Sequence, residues 1–169
     1  KSKPIKSFNR EELNYLKYPL IEIQTNGILK QALMLPISRR DNYVNYWSGS
    51  GQSITTNGSI ISKTNGINID LLSVELNKNS PLLYEIEPQL WPLNGTREHS
   101  YLNHLNGIDK ISFECEFIFE EKEKIVIVEI EYQLTKIIEK CKNEKRSFNN
   151  EFWVDPNGFI WKSNQWLNN

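Results

Sequence analysis

The sequence predicts an all-β fold: mostly antiparallel sheet or sandwich built of hairpins, with one or two short helices. Three observations carry this. The triplet Thr-Asn-Gly occurs at Thr25–Gly27, Thr56–Gly58 and Thr64–Gly66, and Asn-Gly is the preferred pair for a type I′ hairpin turn, which needs positive φ at both central residues. Ile111, Phe113, Cys115, Phe117 and Phe119 alternate with Ser112, Glu114 and Glu116, and Val126, Val128, Ile130, Tyr132 and Leu134 with Glu129, Glu131 and Gln133, the period of half-buried strands. Near the C-terminus, Asp155-Pro156-Asn157-Gly158 stands between the aromatic runs Phe152-Trp153-Val154 and Phe159-Ile160-Trp161. Asp accepts backbone hydrogen bonds at the first turn position, Pro presets φ at the second, and Asn and Gly suit the rest.

Taken in order, Asn9 is a good N-cap with Glu12 three residues on, so a short capped helix is expected over Asn9–Lys17, ended by Pro19. The turn at Asn26-Gly27 joins Leu20–Gln24 to Ile28–Leu35, and the turn at Asn57-Gly58 joins Ser53–Thr55 to Ser59–Ser62. The third triplet ends a strand, and Asn68–Val74 reads as a second, capped helical turn. Asn42–Ser48 is another strand. Pro81, Pro88 and Pro92 argue for edge strands or irregular chain around Leu82–Ile86. In the longest hairpin, a tight turn centred on Glu121-Lys122 sets Cys115 opposite Val128 and Phe113 opposite Ile130, so that apolar meets apolar. A bulge, bend or helical turn is expected at Lys136-Ile137-Ile138. The Asp155–Gly158 turn aligns Val154 with Phe159, Trp153 with Ile160, and Trp161 with Phe152, which sends Trp153 and Trp161 to opposite faces.

A chain of 169 residues is expected to form one domain over residues 1–169, with disorder only at Lys1–Ser7 and the last few residues. The net charge of −1 gives no electrostatic reason to bind nucleic acid or an anionic membrane. The apolar runs are too short to span a bilayer. Lys1 opens a polar stretch with no signal-peptide pattern, which leaves the compartment open. Cys115, among Phe113, Phe117 and Phe119, reads as a small core residue; a Cys115–Cys141 disulfide is the alternative in an oxidising compartment.

The hairpin register places Glu114 opposite Glu129, with Glu116 and Glu131 nearby. Facing carboxylates can serve glycoside hydrolysis, but alternating Glu on a solvated strand face is the commoner meaning. His99 and His104 lack metal-ligand spacing, so no metal is expected, and no phosphate-binding loop or nucleophile elbow is present. Of the five tryptophans, Trp91 and Trp166 are the expected exposed contacts for a ligand or partner. Trp47, Trp153, Asp155, Gly158 and Trp161 are expected to be structural. Asn94-Gly95-Thr96 matches a glycosylation sequon that matters only in a eukaryotic secretory setting.

Three stretches resemble the YjbF/GfcB family of capsule and exopolysaccharide lipoproteins. They are Tyr18–Ile23 with Met34-Leu35, Tyr46-Trp47-Ser48 with Ile54–Ile67, and Cys141 with Asn149–Asp155 and Gly158–Trp166. The chain departs from the family pattern at Ser59, where Arg is usual, at Phe152, where Tyr is usual, and in a shorter Asp155–Gly158 turn; Asn77–Leu105 matches little. The resemblance implies a lipoprotein anchored in the outer membrane and facing the periplasm, its lipidated cysteine preceding Lys1. The resemblance supplies this setting and no catalytic residues; the expectation drawn from it is a non-enzymatic module with no metal, cofactor or nucleic acid, in which polysaccharide or other envelope secretion proteins are met through a sheet edge or exposed aromatics. The alternative expectation is a glycan-modifying enzyme with Asp155 or Glu98 beside a groove.

Overall fold

The computed structural model describes residues 9–16, 19–24, 31–67 and 71–167. Their strands form two antiparallel meanders. The first is a five-stranded sheet in chain order: β1 (Ile21–Gln24), β2 (Gln31–Arg40), β3 (Tyr43–Trp47), β4 (Ser53–Asn57) and β5 (Ile60–Asn65). The second is a six-stranded sheet, also in chain order: β6 (Leu71–Leu76), β7 (Asn94–Leu102), β8 (Ile108–Ile127), β9 (Ile130–Lys142), β10 (Ser147–Val154) and β11 (Ile160–Asn164). One α-helix, α1 (Arg10–Asn14), precedes them, and a 3₁₀ turn covers Pro88–Leu90. The predicted all-β class therefore holds.

The capping box on α1 is formed: Asn9 Oδ1 accepts from Glu12 N at 2.8 Å, and Glu12 Oε2 accepts from Asn9 N at 3.5 Å. The Asn26-Gly27 turn lies outside the described residues. The expected second helix is not formed at Leu71–Val74, which is part of β6; Asn68–Asp70 lie outside the described residues. Pairing with β7 overrides the local helix signal, because strand geometry buries Leu71 and Val74 in the core. The β4–β5 hairpin turns on Gly58-Ser59, one residue later than expected, since Asn57 pairs with Ile60. Only Gly58 of that pair has positive φ, at 58°, as a type II′ turn requires.

The long hairpin departs most from expectation. Ile127 pairs with Ile130, and the turn is Val128-Glu129, with φ of 45° and 66°. Both alternating runs are strands, but the charged stretch Glu120–Lys124 continues β8 instead of ending it. Cys115 therefore faces Cys141, and Glu114 and Glu116 face Lys142 and Lys140. The expected Glu114–Glu129 carboxylate pair does not exist. A bulge between Phe119 and Lys122 in β8 takes up the mismatch, while β9 runs unbroken through Lys136-Ile137-Ile138. A β-branched residue at positive φ is unfavourable, so no turn rule points to Val128.

The C-terminal hairpin shifts too. Val154 pairs with Ile160, a bulge follows, and Trp153 pairs with Lys162 and Phe152 with Ser163. Phe159 joins the loop: Asp155 N donates to Phe159 O at 3.0 Å and Gly158 N to Asp155 O at 3.1 Å, with Gly158 at φ 93°.

The larger core joins the two sheets. Ile60 of β5 belongs to one buried cluster with Leu71, Phe117, Ile137, Phe152 and Val154 of the second sheet. Each such side chain, fully buried, contributes about 1.5–3 kcal/mol. Gln165 also bridges the sheets: its Oε1 accepts from Ile61 N at 3.0 Å and its Nε2 donates to Ser59 O at 2.8 Å. A smaller cluster, Met34, Ile54 and Ile67, serves the first sheet.

Candidate ligand-binding site

Paired residues on neighbouring strands share a face. The partners Cys115/Cys141, Phe117/Glu139 and Glu139/Asn150 thus lie on one face of the second sheet. Cys115 and Cys141 are joined as a disulfide. Beside it sits a buried ion pair: Arg97 Nη2 donates to Glu139 Oε2 at 2.7 Å, with both side chains at most 2% exposed. Asn150 Nδ2 donates to the same oxygen at 2.6 Å. Burying both charges costs desolvation, which these short charge-assisted bonds offset. Glu139 and the two sulfurs lie within 4.8 Å of one another, but sulfurs in a disulfide are not thiolate ligands, so this trio does not make a metal site.

His99 lies on the same face and is wholly buried. It stacks on Trp166 at 5.7 Å and meets Phe113 edge-on at 5.5 Å. Its Nδ1 is 2.8 Å from the Tyr101 hydroxyl. That hydroxyl donates its only proton to the Leu167 carbonyl, so Nδ1 must carry the proton of the imidazole and donate to Tyr101. Nε2 is then the bare nitrogen, and it has no hydrogen-bond partner. Burial, and secondarily the Arg97 charge, pushes the His99 pKa down to about 3. Burial pushes Tyr101 up to about 12, against the pull of Arg146 and Arg97. Both groups are neutral at pH 7.

A cavity of about 210 Å³ opens where the chain leaves β6 and re-enters at β7. Asn77, Asn79, Asn94 and Thr96 line it, with Phe117 and Glu139 from the sheet. Asn77 Oδ1 accepts from Thr96 N at 2.6 Å and from Thr96 Oγ1 at 2.8 Å, which ties the two sides together. Glu139, whose carboxylate is held by Arg97 and Asn150, is thus one of the residues lining the cavity.

A second surface lies on the C-terminal hairpin. Trp161, 38% exposed, packs on Tyr132 with ring centroids 4.3 Å apart, and on Phe159 at 4.9 Å. Asp155 sets this arrangement. Its Oδ1 accepts from Asn157 N and Phe159 N at 2.9 and 3.0 Å, and its Oδ2 accepts from Trp161 Nε1 at 3.1 Å. Trp153 is 7% exposed and lies under the ammonium groups of its partners' side chains, Lys136 and Lys162, at 5.5 and 4.6 Å.

The tryptophans expected to be exposed are the packed ones. Trp91 is buried, edge-on to Phe117, and donates from Nε1 to Ile86 O at 2.8 Å. Trp166 stacks on Phe148 at 4.3 Å and 12°. Irregular chain had suggested exposure, but each indole folds back onto the sheet. Trp47 lies half exposed opposite Leu35. Glu98 is engaged by Lys110 and Ser112, and His104 is exposed in the β7–β8 connection. Neither Glu139 nor Arg97 carries a local signal; only the register of three strands, β7, β8 and β9, brings them together.

Set against known proteins, the chain matches the family described as "Group 4 capsule polysaccharide lipoprotein gfcB, YjbF" over residues 3–168. No curated protein matches the sequence. The fold is similar to the crystal structure of the hypothetical lipoprotein YmcC from Escherichia coli, with a TM-score of 0.78 and 19% identity over 93% of this chain and 80% of that one. The resemblance first legible in the Trp47 and Trp153–Trp161 stretches thus extends along nearly the whole chain, and the protein belongs to the group 4 capsule polysaccharide lipoprotein family.

Proposed function

We propose that this protein is a non-enzymatic binding module of a capsule or exopolysaccharide secretion system, held at the outer membrane by a lipid and facing the periplasm. It meets the polysaccharide through exposed aromatic rings. The family match over residues 3–168 supports the setting, and the Trp161–Tyr132–Phe159 platform is the observation that carries the binding role. A pyranose presents a flat C–H face that a partly exposed indole covers well, and an indole fixed by Asp155 loses little freedom on contact.

Asp155 and Glu98, the acids of the enzyme alternative, are both taken up by other contacts. Glycoside hydrolysis by the common route uses two carboxylates about 5–9.5 Å apart, and among the described residues Glu139 is the one carboxylate lining the cavity. The binding reading is tested by mixing the purified protein with capsular polysaccharide from its host. Co-sedimentation that Trp161→Ala weakens, with glycan chain length and composition unchanged, is expected. Release of oligosaccharides would overturn the non-enzymatic reading. Retention of an envelope protein with no glycan binding would replace the polysaccharide by that partner.

A further inference from the structure

We propose that the cavity between the β6–β7 connection and the second sheet is a separate subsite for one uncharged sugar unit, an end or branch residue of the glycan. This deepens the polysaccharide-binding reading above and rests on it. Four features of the cavity point to that ligand.

The first is unused acceptor capacity. A carboxylate offers about four lone-pair sites. Both bonds to Glu139, from Arg97 and Asn150, end on Oε2, and Oε1 takes no hydrogen bond from any described residue. Glu139 also lines the cavity. A hydroxyl donor from a ligand is the partner such an oxygen lacks.

The second is the amide wall. Asn79 and Asn94 line the cavity, and neither side chain has a hydrogen-bond partner among the described residues. An amide both donates and accepts, which suits a hydroxyl that does the same. The third is charge: among the described residues no Lys, Arg or His lines the cavity. Arg97 is already engaged by Glu139, so a uronate or phosphate would find no free cation there, whereas a neutral hexose or an N-acetylhexosamine needs none. The fourth is size and shape. Phe117 contributes a ring, and Gly95 lies against it, where a Cβ would stand in van der Waals contact with that ring at 3.4 Å. At about 210 Å³, the cavity is smaller than the roughly 300–1,000 Å³ of drug-sized sites. That volume suits a single ring better than a chain segment.

The test is titration of the folded, disulfide-bonded protein, followed by amide NMR. The probes are D-glucose, D-galactose, D-mannose, N-acetyl-D-glucosamine and N-acetyl-D-galactosamine, with D-glucuronate as the charged comparison. At least one neutral sugar is expected to shift the side-chain amides of Asn79 and Asn94 and the backbone of Gly95, and glucuronate to shift them far less. The double variant Asn79→Ala, Asn94→Ala is expected to weaken that sugar about tenfold or more, as two lost hydrogen bonds imply. These positions are exposed and hold nothing in the fold, so the variant decides the matter even if Glu139→Gln fails to fold. Neutral sugars that leave these groups unmoved, or glucuronate binding as tightly as they do, would overturn the subsite. If polymer binding then persists and still depends on Trp161, only the subsite falls. If the polymer does not bind either, the function proposed above falls with it.

Discussion

Lowering the pH from 7 to 5 is expected to weaken this fold through one side chain, His99. The imidazole titrates near 6.5 when unfolded and is held down to about 3 when folded. Between those values the unfolded state binds more protons than the folded one, so stability rises with pH across the window and falls as acid is added. A group with these two values loses about 2 kcal/mol between pH 7 and 5, and about 4–5 kcal/mol by pH 3. The cause is geometric. A second proton must go to Nε2, which has no partner, inside a wall formed by Phe113, Phe148 and Trp166. For a chain of this size, 2 kcal/mol corresponds to roughly 4–8 °C in Tm. Thermal melts at pH 7, 6 and 5 measure it, and the slope matters more than the baseline. Glu98 and Glu151 are both shifted below the ordinary carboxylate value, so the stability they lend begins to be lost only below about pH 5, outside the range of these melts. His99→Phe keeps an aromatic ring in the wall and loses the Tyr101 bond. It is expected to start lower and lose its pH dependence above pH 5, while His104→Asn, at an exposed site, keeps the wild-type slope. If His99→Phe melts with the same slope as wild type, the assignment of acid sensitivity to His99 is wrong.

Three further outcomes are expected. The Cys115–Cys141 bond closes a separation of 26 residues, for which chain entropy gives about 3.5 kcal/mol. Unreduced mass spectrometry should find no free thiol in native, oxidised material, and reduction should lower Tm; two alkylatable thiols there would refute the bond. Trp153→Ala should cost about 3–5 kcal/mol, as burial between two lysines implies, whereas Trp161→Ala should cost about 1 kcal/mol or less and lose glycan contact. Equal melting of both with loss of export would make the whole hairpin a binding site. Gly158→Ala should destabilise by more than about 2 kcal/mol, because φ is +93° and a Cβ would sit 2.4 Å from the Ile86 backbone. Gly49→Ala, with nothing within 4 Å, should be close to neutral, and two equal melting curves would refute the clash.

The strands were legible and their partners were not. Alternation reports which residues share a face, and it correctly marked Phe113, Cys115 and Phe117 as inward. Register depends on where the turn falls, and at Val128-Glu129 the turn uses residues that no local rule selects. A displaced turn changed every cross-strand pair in that hairpin, replacing Glu–Glu with Glu–Lys pairs and bringing Cys141 to Cys115. The candidate site was hidden for the same reason. Arg97, Glu139 and Asn150 come from three strands, and each alone reads as an ordinary surface residue. Composition gives no information on whether an indole in irregular chain folds back onto the sheet. Trp91 and Trp166 do, through Phe117 and Phe148.

The C-terminal motif that makes the family recognisable is also where the fold is most tightly stapled. Gln165 bonds the backbone of Ser59 and Ile61 in the first sheet. Trp166 donates its backbone N–H to Asn150 Oδ1 at 2.7 Å, and Asn150 passes a hydrogen bond on to Glu139. The Leu167 carbonyl accepts from Tyr101, which in turn accepts from His99. Three consecutive residues thus tie the last strand to the other sheet, to the buried ion pair and to the buried histidine. A buried ion pair can often be replaced by apolar residues with no loss of stability, so stability alone does not explain why Arg97 and Glu139 are charged. Their geometry does: Glu139 fixes Asn150, Asn150 fixes the chain at Trp166, and the same carboxylate lines the cavity. Removing Arg97 would leave that carboxylate unpaired, at a cost of about 3–5 kcal/mol. The ion pair therefore links the cavity to the segment that holds the two sheets together.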